Sequence, residues 1–223
     1  MTNANKAPVF VLVGPTCSGK TTLKSMMELA GFEGIKTWTT RKKRAGESGK
    51  DYEFVSRNVI NICHREGLFA ELSEYDSELY ASVKKDNISG TNPKVIVLEE
   101  KGARRVLERL SNVPFVFVYL NPHPDVLVNR ASRRGMDPTE FRTRIDTDAP
   151  RLLDFYEDFF VDTQFEKEEV PNYVSTLYAR NPSGRYLNLF GIVESTWHLL
   201  DQDFANWLWR FAMVLSLRLT DKI

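Results

Sequence analysis

The sequence contains few cysteines and no leading apolar segment. Its 223 residues include two cysteines, Cys17 and Cys63, which argues against a fold stabilised by several disulfides. The residues before Val9 are polar and lack the apolar stretch of a signal peptide. We therefore expect a cytoplasmic protein with reduced thiols.

The sequence also lacks a transmembrane segment and a net charge. The most apolar segment, residues 204–217, is interrupted by Asn206 and Arg210 and is shorter than the roughly 20 residues that a membrane-spanning helix needs. It predicts a buried or subunit-facing helix. Thirty basic residues balance thirty acidic ones, so the total charge gives no reason to expect a nucleic acid or a membrane as the main partner.

The charges are nevertheless separated along the chain. Residues 36–50 hold six cations against the single Glu47, whereas residues 66–78 hold five carboxylates and no Lys or Arg. This separation is expected of a protein whose ligand has a phosphate at one end and hydrogen-bond donors at the other.

Hydrophobic patterning predicts a single α/β domain. Continuous apolar runs at residues 9–13, 95–98 and 115–120 are typical of parallel strands buried on both faces, and each precedes a helical stretch. We expect a mainly parallel central sheet flanked by helices. Two segments interrupt this pattern. Residues 37–92 form a long insertion, and residues 130–151, with six arginines and no lysine, resemble a mobile lid.

Residues 14–21, which read GPTCSGKT, match the phosphate-binding pattern G-x-x-x-x-G-K-[ST] between a predicted strand and a predicted helix. Gly14 and Gly19 allow the backbone N–H groups to turn towards a β-phosphate, and Lys20 would reach the β- and γ-phosphates. The Thr21 hydroxyl would bind Mg²⁺. We interpret Cys17 as a small packing residue. The predicted ATP-binding residues are Gly14, Pro15, Thr16, Cys17, Ser18, Gly19, Lys20, Thr21 and Thr22.

A second pattern concerns the insertion. Residues 39–56 (TTRKKRAGESGKDYEFVS) closely resemble the signature of guanylate kinases, as do residues 67–71 (GLFAE). Residues 80–82 (YAS) stand where that family carries Tyr-Gly-Ser or Tyr-Gly-Thr. The resemblance covers residues 9–82 and continues more loosely to about residue 163. It implies a P-loop kinase fold with an acceptor-nucleotide-binding subdomain at residues 37–92.

The residue types in this pattern fit a mononucleotide. Arg41 and Arg44 can fork onto the oxygens of one phosphate, and two tyrosine hydroxyls can donate to the same group. Guanine presents N1–H and N2–H₂ side by side, so one carboxylate can accept from both. The resemblance assigns that role to Glu71. The acceptor-binding set is Thr37, Arg41, Arg44, Tyr52, Glu71, Tyr80, Ser82 and Glu99, in which Thr37 would donate to guanine O6.

The resemblance also assigns a catalytic role to arginines of the lid. Phosphoryl transfer requires charge stabilisation around the migrating group and exclusion of water. Arg130, Arg134 and Arg144 best match the family's lid, and Arg133 is a rival for one of these places. With Lys20 and Arg41 they form the predicted catalytic set.

The sequence departs from the family in three respects. Val97 and Glu99 occupy places where the family has two aspartates, so Mg²⁺ would depend on Thr21, phosphates and water, with Glu99 as an outer-shell or base contact. Thr37 replaces the usual serine. Residues 182–223 have no recognised counterpart; we expect a kinase-like domain over residues 1–181 and a C-terminal helical extension that could form a homodimer contact.

The resemblance implies a nucleoside-monophosphate kinase that transfers the ATP γ-phosphoryl group to GMP or dGMP. Two alternatives stay open. The changes at Val97 and Glu99 are compatible with a kinase for another or a modified purine mononucleotide. A guanylate-kinase-like module that binds partner proteins is the other alternative, although the intact phosphate loop and Arg41 argue against it.

Overall fold

The structure is a computed structural model that describes residues 7–44, 47–83, 90–110, 113, 115–120, 122, 124–160, 177–180 and 186–188. Its strands are β1 (Val9–Val13), β2 (Glu33–Gly34), β3 (Thr37–Thr39), β4 (Tyr52–Phe54), β5 (Phe69–Tyr75), β6 (Glu78–Val83), β7 (Lys94–Val97), β8 (Phe115–Tyr119), β9 (Leu177–Arg180) and β10 (Tyr186–Asn188). Its helices are α1 (Lys20–Leu29), α2 (Arg57–Arg65), α3 (Glu100–Arg109), α4 (Pro124–Arg133) and α5 (Pro138–Phe160).

The main sheet has the strand order β10-β9-β8-β1-β7-β2, in which β8, β1, β7 and β2 run parallel. Every residue of β1 is buried. Val9, Val11 and Val13 pack on the side of α3, whereas Phe10 and Leu12 pack on the side of α1. A strand covered on both faces explains the unbroken apolar run, and the predicted α/β fold with a mainly parallel sheet is confirmed.

The insertion forms a second, small sheet with the order β4-β3-β6-β5. Strand β3 lies between β4 and β6, and β5 and β6 form a hairpin. The turn of this hairpin has positive φ at both Asp76 and Ser77, as a tight turn between antiparallel strands requires. Helix α3 of the main layer packs against β5, which brings the two sheets together.

A buried ion pair also joins the small sheet to α1. Lys24 is 2% exposed, and its ammonium lies 2.8 Å from the Asp51 carboxylate just before β4. Glu28 lies one helical turn further along α1, where it contacts Lys24 at 3.8 Å and pairs with Lys50. Since a buried charge is costly without its partner, this pair fixes β4 relative to the helix that follows the phosphate loop.

Helices α4 and α5 cover the other side of that loop. They are separated at Gly135, whose φ of 66° suits a residue without a side chain. Cys17 is buried against Leu127 and Ala131 of α4, in the packing position predicted for it. Pro150 lies inside α5 and therefore leaves one helical hydrogen bond unmade.

The main sheet continues beyond residue 181, where the sequence predicted a domain boundary. Strand β10 pairs antiparallel with β9, which pairs antiparallel with β8. The predicted apolar helix at 204–217 lies outside the described residues. Within the described part of the chain, no helix has both the length and the apolar character needed to cross a bilayer.

Candidate active site

The loop between β1 and α1 is shaped to receive an anion. A Cβ atom on Gly14 would lie 2.4 Å from the Leu120 carbonyl oxygen, so this position requires glycine. Gly19 begins α1 in a left-handed conformation, and no side chain caps the helix or adds a carboxylate to its first turn. Helix α2, by contrast, begins at Ser56, whose hydroxyl accepts from the Val59 N–H. The first N–H groups of α1 are therefore available to a phosphate.

Two cationic side chains, one from α1 and one from α4, donate hydrogen bonds to carbonyl oxygens of the phosphate loop. The Lys20 ammonium donates to the carbonyl oxygens of Gly14 at 2.5 Å and Pro15 at 3.0 Å. From α4, the Arg130 guanidinium donates to the carbonyl oxygen of Ser18 at 2.8 Å. A phosphate in the loop would give Lys20 a charged acceptor in place of these neutral ones.

A cavity, here called the outer cavity, opens in front of this loop. It brings together the phosphate loop from Thr16 to Thr21, the arginines and tyrosines of the small sheet, and two arginines of the lid. The predicted site residues that line it are Thr16, Cys17, Ser18, Gly19, Lys20, Thr21, Arg41, Arg44, Tyr52, Tyr80, Glu99, Arg134 and Arg144. The predicted ATP-binding residues and the predicted acceptor-binding residues therefore face each other across one cavity.

Arg41 is held by an acidic partner. Its two terminal nitrogens lie 3.0 and 2.6 Å from the carboxylate oxygens of Glu47, and its guanidinium stacks 5.2 Å from the centre of the Tyr52 ring. Partial burial acts to lower the pKa of Arg41, but the hydrogen bond to Glu47, the charge of Glu47 and the neighbouring Tyr80 and Tyr52 together leave that pKa raised. Glu47 also accepts from the Arg44 N–H at 3.0 Å. Glu47 thus orients both Arg41 and Arg44, the pair predicted to hold the acceptor phosphate and here called the phosphate clamp.

Tyr52 and Tyr80 lie edge to face, with ring centres 6.4 Å apart. Burial raises the pKa of Tyr52, and the neighbouring Tyr80 raises it further. Burial likewise raises the pKa of Tyr80, although Arg41 opposes the shift. Both phenols therefore remain protonated at physiological pH and can donate hydrogen bonds.

A smaller inner cavity adjoins the outer one, and its lining includes Thr37, Glu71 and Ser73. Strand register explains why the predicted base-reading residues lie side by side, although Ser82 is not among the residues that line the cavity. Thr37 of β3 lies opposite Ser82 of β6, and Ser82 lies opposite Glu71 of β5. The three residues thus form one row across adjacent strands, and all are buried.

Glu71 is fully buried and incompletely satisfied. Its Oε1 accepts from the Ser82 N–H at 3.1 Å, while Glu71 Oε2 and Ser82 Oγ are buried without a hydrogen-bond partner. Burial raises the pKa of Glu71 to about 7, opposed in part by Ser73 and by the charge of Arg105. An unpaired buried acceptor is unfavourable, so a ligand that donates two hydrogen bonds would relieve it.

The space for this carboxylate depends on α3. A Cβ atom built on Gly102 would lie 3.2 Å from the Glu71 carboxyl carbon and from its Oε2. The glycine therefore lets the carboxylate lie directly against the helix.

Four residues line both cavities: Tyr52, Tyr80, Val97 and Glu99. A molecule that extends from one cavity to the other must pass between them. Burial raises the pKa of Glu99, an effect opposed by Lys20 and reinforced by Asp148. Val97 is the apolar member of the four.

The lid arginines occupy different places. Arg134 and Arg144 line the outer cavity, where Arg144 pairs with Asp76 and Glu140, both at 3.0 Å. Arg130 supports the phosphate loop from below, and burial together with Arg134 lowers its pKa. Arg133 is exposed and is not among the residues that line either cavity.

Sequence reasoning missed several residues of the site. Tyr75 and Asp148 line the outer cavity, Ser73 lines the inner one, and Gly102 makes room for Glu71. Ser73 could have been found from strand alternation, since it lies two residues after Glu71 and faces the same side of β5. Asp148 belongs to no quoted motif, and only the three-dimensional contact reveals it.

Comparison with known proteins identifies the family. The family model described as guanylate kinase matches residues 6–168. Guanylate kinase of Lactobacillus delbrueckii is 33% identical over 143 residues, which cover 60% of this chain and 69% of the relative. Guanylate kinase of Oleidesulfovibrio alaskensis is 31% identical over 151 residues, covering 65% of this chain and 73% of the relative.

A crystal structure of guanylate kinase from Anaplasma phagocytophilum aligns with a TM-score of 0.46 at 20% identity, over 67% of this chain and 86% of that one. Family membership rests on the sequence matches, since the family model covers well over half of the chain. On these matches, the chain belongs to the guanylate kinase family.

Proposed function

We propose that this protein transfers the γ-phosphoryl group of ATP to GMP or dGMP, forming ADP and the corresponding diphosphate. The observation that carries the proposal is that the two cavities adjoin and share four lining residues. A phosphate-binding loop faces a second set of cationic and phenolic donors across the outer cavity, and the inner cavity ends at a buried carboxylate. This arrangement suits two nucleotides whose phosphates meet.

The ATP end is supported by the form of the loop. The uncapped N-terminus of α1 and the close approach of backbone at Gly14 fit a cradle for phosphate oxygens. Lys20 would exchange its carbonyl partners for the β- and γ-phosphates. Its charge would then stabilise the transition state, in which negative charge spreads over the migrating group.

Mg²⁺ would come with the nucleotide. Among the described residues, no group of three metal-binding side chains forms a site of its own, so phosphate oxygens and water would supply most of the ligands. The Thr21 hydroxyl, at the start of α1 and lining the outer cavity, would be the protein group that joins them. Bound Mg²⁺ would neutralise charge between the β- and γ-phosphates.

The acceptor-nucleotide end is supported by cationic and phenolic donors in the outer cavity and by a hydrogen-bond acceptor in the inner cavity. Arg41, Arg44, Tyr52 and Tyr80 would hold the monophosphate, since all four line the outer cavity. In the inner cavity the free Oε2 of Glu71 would accept from guanine N2–H₂ while Oε1 accepts from N1–H. Adenine presents a lone pair at N1, which the same carboxylate repels.

The lid would complete the site. Arg134 and Arg144 line the cavity on the side of α4 and α5, where their charges can reach the transferring phosphoryl group. Transfer would proceed in line between the two nucleotides without a covalent enzyme intermediate. In this scheme catalysis consists of positioning, charge stabilisation and exclusion of water.

Val97 favours a second candidate substrate class. It provides an apolar surface at the junction of the two cavities, where the sugar of a mononucleotide would lie. A purine deoxymononucleotide would meet that surface without burying a 2′-hydroxyl group beside it.

A coupled assay of ADP release over a panel of purine and pyrimidine mononucleotides tests the proposal. We expect kcat/KM to be highest for GMP or dGMP. Faster turnover of a mononucleotide without guanine would reject the guanine assignment, and the absence of turnover with every mononucleotide would reject the kinase activity.

A further inference from the structure

Helix α5 of the lid touches the β5–β6 hairpin of the small sheet. The contacts are made by Arg144, Asp148 and Arg151, which repeat every three or four positions and therefore share one helical face. The Arg144 guanidinium lies 3.0 Å from the Asp76 carboxylate at the hairpin turn. The Tyr75 hydroxyl donates to Asp148 Oδ2 at 3.2 Å.

The contact between Tyr75 and Asp148 is enclosed and reinforced. Asp148 is 6% exposed, and its second oxygen accepts from Arg151 at 3.0 Å. The Arg151 guanidinium also stacks 5.3 Å from the centre of the Tyr75 ring. A hydrogen bond to a charged acceptor in such surroundings is stronger than a neutral one in water. Helix and hairpin are thus joined by more than a surface contact.

Tyr75 is also linked to the predicted phosphate clamp. Its ring lies 6.5 Å from that of Tyr80, which lies 6.4 Å from that of Tyr52, and Arg41 stacks on Tyr52. A row of aromatic contacts therefore runs from the predicted phosphate clamp to α5. The tight turn at Asp76 and Ser77 fixes the end of this row.

We propose that Asp148 is a positioning residue, which acts through the Tyr75 hydroxyl to make α5 and the small sheet move as one body. The inference rests on the proposed function. Binding of the acceptor nucleotide to the small sheet would, through this link, hold α5 in place with Arg144 at the outer cavity. Asp148 therefore contributes to delivery of a lid arginine and not to binding of the acceptor.

The proposal predicts a separation of kcat from KM. Tyr75→Phe removes only the hydroxyl, and Asp148→Ala removes its acceptor. Each should lower kcat about tenfold while KM for GMP changes less than about twofold, and the double variant should be no worse than either single variant. Asp148→Asn keeps an oxygen that can accept from Tyr75, so kcat should stay within about threefold of wild type.

Asp146→Ala is the matched control, because Asp146 is an exposed aspartate on the same helix; its kcat should be unchanged. A Tyr75→Phe variant that retains the wild-type kcat would overturn the proposal. So would losses of kcat that multiply in the double variant. Thermal unfolding of each variant shows whether lost activity is only lost folding.

Backbone hydrogen exchange in the full-length protein supplies a readout that needs no turnover. GMP alone should slow exchange over residues 138–151 in wild type and Asp146→Ala, but not in Tyr75→Phe or Asp148→Ala. Equal protection in all four proteins would overturn the link. A wild-type protein that neither binds nor phosphorylates GMP would instead reject the proposed function, and the inference with it.

Discussion

The two cavities differ in how their charged side chains are satisfied. In the outer cavity Lys20, Arg41 and Arg144 already have partners within the protein. In the inner cavity the carboxylate oxygen Oε2 of Glu71 has none. A ligand in the outer cavity exchanges one set of partners for another, whereas a ligand in the inner cavity relieves an existing deficit.

This difference separates strength from selectivity. Any phosphate can replace a carbonyl or a carboxylate around a cation, so the outer cavity should contribute rate and affinity with little regard to the base. Only a base with two adjacent donors can satisfy Glu71, so the inner cavity should determine which mononucleotide is accepted. Substitutions in the outer cavity should therefore change the rate with every mononucleotide, whereas substitutions in the inner cavity should change the preference among bases.

Lys20→Ala should lower kcat on the order of 10³-fold, because it removes a charge that would stabilise the migrating phosphoryl group. If the outer cavity does not read the base, the loss of kcat should be the same for every mononucleotide. Initial rates with GMP, dGMP and AMP should fall by similar factors, leaving the order of preference unchanged. Lys43→Ala removes an exposed lysine outside the cavity and should behave as wild type. A changed base preference in Lys20→Ala would contradict the division.

Glu71→Gln should lower kcat/KM for GMP about 10²-fold, because an amide offers one acceptor where guanine presents two donors. The loss should be specific to guanine, so the ratio of GMP to AMP turnover should fall by nearly the same factor. Glu74→Gln provides the matched control, since Glu74 lies on the same strand and is 57% exposed. Equal losses with GMP and AMP would show that Glu71 does not read the base.

Titration of Glu71 gives the third prediction. Because burial raises its pKa to about 7, the carboxylate that accepts from guanine is mostly protonated at pH 6 and mostly ionised at pH 8. KM for GMP should therefore be about tenfold higher at pH 6 than at pH 8. The Glu71→Gln variant isolates this effect, because the acceptor phosphate titrates equally in both proteins.

The raised pKa of Glu71 should make the folded protein less stable as pH rises, whereas it makes GMP binding stronger. The folded-state pKa lies above the unfolded value, so the native protein holds a proton that the unfolded chain has lost. Stability without ligand should be fully present below about pH 4.5 and decline as pH rises through about 7. Thermal unfolding of wild type should show this decline relative to Glu71→Gln. Parallel pH profiles for the two proteins would place the titration elsewhere.

The sequence predicted what lies within continuous segments. The phosphate loop and the buried strands are local patterns, and the structure contains both of them. The meeting of Thr37, Glu71 and Ser82 required the family resemblance, since strand register cannot be read from these short segments alone. Residues 73 positions apart, such as Tyr75 and Asp148, meet only because α5 packs on the hairpin, and no local pattern encodes that contact.

Gly102→Ala should have the smallest effect of the series and concerns the inner cavity alone. The added methyl group would lie 3.2 Å from the Glu71 carboxylate, which must shift by a few tenths of an ångström, whereas alanine favours the helix by about 1 kcal/mol. We expect KM for GMP to rise about threefold with KM for ATP and the melting temperature nearly unchanged. Lys101→Ala, at an exposed neighbouring position of α3, serves as control. If Gly102→Ala instead raised KM for ATP and GMP equally, the substitution would be acting on the fold. The inner cavity would then not be the separate base-reading unit that the unpaired Oε2 of Glu71 indicates.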